Sequence, residues 1–122
     1  MISGGRAGVT VAGRVAAVLA LASAGVHATA VDTGSLTSLA MAGMALACLP
    51  CAWHLWRCPT GAVWGMTAAL DAAMLGVHAQ MLAGASAGHV HAGGSTPGTV
   101  MWLGLGLVAA QLLLAGTTAL RR

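Results

Sequence analysis

Residues 34–57 read GSLTSLAMAGMALACLPCAWHLWR. No charge interrupts the run until Arg57 closes it. Its length meets the ~20 predominantly apolar residues a helix needs to cross ~30 Å of hydrocarbon. Three stretches of the same kind lie near 8–31, 62–84 and 99–120. Asp32-Thr33-Gly34, then Arg57-Cys58-Pro59-Thr60-Gly61, then the polar loop 85–98 (ASAGHVHAGGSTPG) separate them. The chain is 58% hydrophobic and 6% charged, against about 25% charged in a soluble domain. The sequence therefore predicts an all-α polytopic membrane protein, with residues 1–122 forming one bundle of four transmembrane helices.

Orientation follows from arginine. Arg6, Arg14, Arg57, Arg121 and Arg122 all fall on one side of a four-span arrangement, which the positive-inside rule makes cytoplasmic. Both termini are then inside, and Asp32 and the 85–98 loop outside. Trp53, Trp56 and Trp64 cluster at the inner boundary and Trp102 at the outer, as an interfacial belt requires. Arg6, Arg14, the apolar run 15–24 and Ala28-Thr29-Ala30 also have the layout of a cleavable signal peptide, a rival that would leave three spans and remove His27. The arginines form no run and do not interleave with aromatics, so nucleic-acid binding has no support. With Arg in place of Lys and abundant Ala, Gly and Val, the expected location is a bacterial cytoplasmic membrane.

Two spans carry stripes of chemically active side chains. Met41, Met44, Cys48 and Cys51 recur at helical spacing in the second, with His54 and Cys58 continuing close to the same side. Thr67, Asp71, Met74, His78 and Met81 do so in the third. Met and Cys at this spacing also serve as ordinary core. A carboxylate near the bilayer centre costs at least ~2.5 kcal/mol. Asp71 therefore needs a proton, a cation or a donor, and the amide of Gln111 in the fourth span is at a similar depth.

Gly25-Val26-His27-Ala28 recurs as Gly76-Val77-His78-Ala79. Leu19 and Ala22 match Leu70 and Ala73 at the same offset, a pattern expected of a parallel repeat. His27 and His78 then sit at one level, roughly 7–9 Å below the outer surface at 1.5 Å per residue. Thioether, thiol and imidazole together favour Cu(I). His27, Met41, Met44, Met74, His78 and Met81 form the expected outer copper site, and His89-Val90-His91 in the loop is either an ion collector or a polar loop tip. The alternative cofactor is a b-type haem with His27 and His78 as axial ligands and Gly25 and Gly76 making room. The lack of Phe and Tyr weighs against a haem pocket.

The C-x-P-C pair lies in the inner half, next to a reducing compartment, which disfavours dithiol redox chemistry. Pro50 removes a backbone donor and predicts a kink. Cys51, His54 and Cys58 lie within about 60° of one another on an ideal helix. They read either as an inward metal relay or as small residues beside the kink.

The run SLAMAGMALACLP, residues 38–50, resembles the second helix of small actinobacterial polytopic membrane proteins of unassigned function, rich in Met and His. The resemblance covers little more than that helix and the four-span layout, and it implies lineage and a helical membrane fold without any residue roles. No Ser-His-Asp set, phosphate loop or carboxylate pair occurs, so an enzyme is not expected. Two functions remain. One is transition-metal handling, with copper expected to be bound, taken up or delivered. The other is a small non-catalytic subunit packed against a larger membrane complex or its own copies within the lipid bilayer. Metal handling is the expectation adopted, because it accounts for Asp71, the paired histidines and both stripes.

Overall fold

A computed structural model describes residues 3–29, 31, 36–86 and 98–120. Asp32, His89, His91, Arg121 and Arg122 lie outside the described residues. Four helices account for nearly everything described: α1 (Ser3–Thr29), α2 (Leu36–Arg57), α3 (Gly61–Ser86) and α4 (Thr99–Leu120). Local chemistry sets the α2–α3 corner. The Cys58 amide still donates to the His54 carbonyl at 2.8 Å, and Pro59 then stops the helix. Thr60 opens α3, its Oγ1 accepting from the Val63 amide at 3.3 Å as an N-cap. Pro50 is accommodated within α2 on an exposed face.

Neighbours in sequence are neighbours in space, and α4 returns to pack on α1. The cyclic order is α1–α2–α3–α4, and among the described residues no Cα pair across either diagonal comes within 8 Å. The tightest seam joins α1 and α2. There α1 offers Ala16, Ala17 and Ala20, all but fully buried, and Leu55 of α2 fills the space they leave. Small residues let backbones approach, which drives helix association where lipid removes the hydrophobic advantage. Gly13 marks the extreme. A Cβ there would stand 2.7 Å from the Leu55 carbonyl oxygen and 2.8 Å from Pro59 Cβ.

Polarity runs opposite to that of a soluble bundle. Leu113 is 71% exposed and Leu39 69%, whereas His27 and Gln111 are 2% exposed and Asp71 4%. Ser23, Thr67 and His78 are also interior. Apolar outside and polar inside suits a molecule whose solvent is lipid. Three helical segments, Gly8–Thr29, Ser38–Arg57 and Thr99–Leu120, are long and apolar enough to cross a membrane. α3 is long enough at 26 residues, but Asp71, His78 and Gln80 lower its hydropathy.

Two expectations change here. Trp64, assigned from sequence to the inner aromatic belt, is instead buried in the core with Ala16, Ala52, Leu55 and Ala115. Gly25 and Gly76, expected to open space beside the histidines, are exposed, and a Cβ on either would meet nothing within 4 Å.

Candidate functional site

His27 and His78 meet on the bundle axis. They project from the diagonal helices α1 and α3, and their ring centroids are 5.6 Å apart with planes at 74°. Each is anchored the same way. His27 Nδ1–H donates to the Ser23 carbonyl at 2.7 Å, and His78 Nδ1–H donates to the Met74 carbonyl at 2.8 Å. Both acceptors lie four residues back on the same helix, so the repeated GVHA segment gives two imidazoles of one tautomer. The lone pair then rests on Nε2 of each ring. His27 Nε2 is buried with no hydrogen-bond partner. A backbone carbonyl fixing Nδ1–H while Nε2 stays free is the arrangement that orients a metal-ligating histidine.

A thioether cluster begins within one helical turn of this pair. Met41, Met44, Met74 and Cys48 pack in one cluster with Ala24 and Val108, and Met81 packs against it. Ala24 precedes His27 by less than a turn, and Met74 supplies the carbonyl that holds His78. Met41, Met44, Cys48 and Cys51 of the α2 stripe and Thr67, Asp71, Met74 and His78 of the α3 stripe thus turn inward. Among the described residues no group of three or more His, Cys, Asp or Glu side chains is placed to hold a metal. A site here would therefore combine two imidazoles with methionine sulfur. An imidazole bound at about 2.0–2.1 Å keeps its ring centre roughly 3 Å from the ion, so two rings on one ion stand up to about 6 Å apart. The observed 5.6 Å lies within that reach.

A second polar layer lies deeper. Ser23 of α1, Cys48 and Cys51 of α2, and Thr67 and Asp71 of α3 are all buried there. The expected Asp71–Gln111 hydrogen bond does not close: Asp71 Oδ2 and Gln111 Oε1 are both buried without a partner. An unsatisfied buried acceptor costs about 1–3 kcal/mol. Asp71→Leu is accordingly expected to raise the thermal midpoint of the detergent-solubilised protein. A clear fall in that midpoint would show that the carboxylate is satisfied in the membrane.

The inner relay is not assembled. Cys51 is buried, whereas His54 and Cys58 are exposed. The ideal-helix spacing held, but the bundle seam takes only the Cys51 side, and Cys58 has left the helix. His54 and Arg57 occupy the last turn of α2, where cations are favoured by the helix dipole. His89 and His91 of the outer loop fall outside the described residues. Sequence reasoning missed Ser23, whose signal was its place four residues before His27. It also missed Trp64, whose Nε1 is buried without a partner.

No protein-family model matches the chain, and no curated protein or solved structure does either.

Proposed function

We propose that the protein handles a soft transition metal, Cu(I), within a four-span bundle of a bacterial plasma membrane. The observation that carries this reading is the diagonal histidine pair, held in one tautomer and 5.6 Å apart among methionines. Imidazole with thioether favours Cu(I) over hard divalent ions. In a membrane interior, a neutral thioether and a neutral imidazole hold a monovalent ion without adding buried anionic charge. The Nε2 atoms and thioethers bind the ion. Asp71, beneath them, offers the one carboxylate described in the bundle as a counter-charge along a path inward. Haem is a weaker fit, since Met41, Met44, Met74 and Val108 fill the core around the pair and Gly25 and Gly76 face away from it. Copper K-edge absorption of the Cu(I)-loaded protein is the test. Mixed nitrogen and sulfur scattering supports the site, and sulfur alone would move it to the cysteines.

In this reading α3 also spans the bilayer, its polar groups sheltered in the bundle, and both termini lie in the cytoplasm. Cys58 reports on that topology, because it is exposed while Cys48 and Cys51 are buried. A membrane-impermeant maleimide is expected to modify Cys58 in inverted vesicles and to leave intact spheroplasts unlabelled. Labelling in spheroplasts would reverse the orientation.

One feature favours the second reading, a non-catalytic subunit. A groove of about 380 Å³ between α3 and α4 is lined by Gly61, Gly65, Ala68, Ala115 and Gly116, with Trp64 at its wall. Small residues of this kind admit a partner helix. A stoichiometric large partner retained in gentle detergent, with no metal bound, would establish that reading.

A further inference from the structure

At the end of the bundle where α2 stops, two arginines lie on tryptophan faces. The Arg14 guanidinium is 5.4 Å from the Trp56 ring centroid, and that of Arg57 is 4.6 Å from Trp53. Gly13 packs against the Leu55 carbonyl and Pro59, so its neighbour Arg14 stands level with the last turn of α2 and with Arg57. Cations and amphipathic rings at one level mark the membrane–water boundary. From Arg14 and Trp56 a groove of about 360 Å³ follows α1 along Val15, Val18 and Leu19, away from the α2 end and toward the middle of the bundle. Val15 and Val18 are half-exposed. Among the described residues neither arginine has a carboxylate partner; of the chain's two acidic residues, Asp71 is in the core and Asp32 lies outside the described residues.

We propose that this groove is a binding site for an anionic glycerophospholipid, with its phosphate at Arg14 beside Trp56 and one acyl chain along Val15, Val18 and Leu19. Each part answers a part of such a lipid. The Arg14 cation, held in place by the Trp56 indole face, meets the headgroup. The apolar channel continues from it into the hydrocarbon, where a free inorganic anion would gain nothing. The stacking also shields one face of the Arg14 guanidinium, leaving its in-plane donors for the bidentate contact that phosphate accepts. The proposal rests on the membrane reading and not on metal binding.

The test is native mass spectrometry of the detergent-solubilised protein offered phosphatidylglycerol and phosphatidylcholine with identical acyl chains. Wild type is expected to retain phosphatidylglycerol several-fold over phosphatidylcholine. Arg14→Gln is expected to abolish that preference, and Val18→Trp, which fills the groove from its exposed side, to lower retention of both lipids. Both substitutions point outward, and circular dichroism confirms that the helices persist. Equal retention of the two lipids by wild type, an unchanged preference in Arg14→Gln, or displacement of phosphatidylglycerol by inorganic phosphate would each overturn the proposal. Cu(I) binding by Arg14→Gln is expected to equal that of wild type, which separates this site from the histidine pair.

Discussion

Replacing His27 and His78 together by alanine is expected to weaken Cu(I) binding by more than about 100-fold. Loss of groups that merely orient a ligand already costs 10–100-fold, and this change removes two ligands outright. Either single substitution leaves one imidazole among Met41, Met44 and Met74, and is expected to have a smaller effect. Truncation of a buried imidazole also opens a cavity, so a second variant guards against misfolding. His27→Met with His78→Met keeps bulk and a soft donor, and is expected to retain Cu(I) while losing nitrogen scattering at the copper edge. Competition against a chromophoric Cu(I) chelator measures all of these. Wild-type affinity in the double alanine variant would remove the pair from the site.

Gly13→Val is expected to be the most damaging single change to the fold. The added Cβ would lie 2.7 Å from a backbone carbonyl and 2.8 Å from a proline ring, neither of which is the end of a flexible side chain. The helices must separate along their tightest seam, and overpacking of this kind costs about 1–3 kcal/mol. Gly25→Ala is the control: nothing lies within 4 Å of its Cβ, and alanine is the better helix former by about 1 kcal/mol. Thermal unfolding in detergent, followed by circular dichroism, is expected to show a sharply lowered midpoint for Gly13→Val and an equal or higher one for Gly25→Ala. A wild-type midpoint for Gly13→Val would mean that α1 and α2 pack less closely than described.

The helices were legible because hydropathy and turn chemistry act locally. The fourth runs over Thr99–Leu120 as the apolar stretch implied, while α1 starts earlier, at Ser3, and α3 ends later, at Ser86. The inward faces of α2 and α3 were legible too, since Met41, Met44, Cys48 and Cys51, and Thr67, Asp71, Met74 and His78, repeat at helical spacing and all are buried. The GVHA repeat placed two histidines at one depth, and their rings do meet. The sequence could not say that they meet across a diagonal, which depends on the packing order of all four helices.

The rest depended on helix rotation. In a chain with 18 glycines and an alanine-rich background, many faces are equally small, and side-chain shape at the seams decides which one turns inward. Trp64 reads as a belt residue because its ring is amphipathic, yet it fills the space left by Ala16, Ala52 and Ala115. Gln111 and Asp71 were at compatible depths, but depth alone does not aim an amide at a carboxylate, and both remain unsatisfied. His54 and Cys51 share a face on an ideal helix, but Cys51 stands at the edge of the buried arc of α2 and His54 falls outside it.

The most direct measurement is elemental analysis of the untagged protein, purified in detergent under reducing conditions and offered Cu(I). The account predicts stoichiometric copper that is lost in the double alanine variant of His27 and His78. No bound metal under these conditions would contradict it, leaving Met, Cys and His as packing and the α3–α4 groove as the feature to explain.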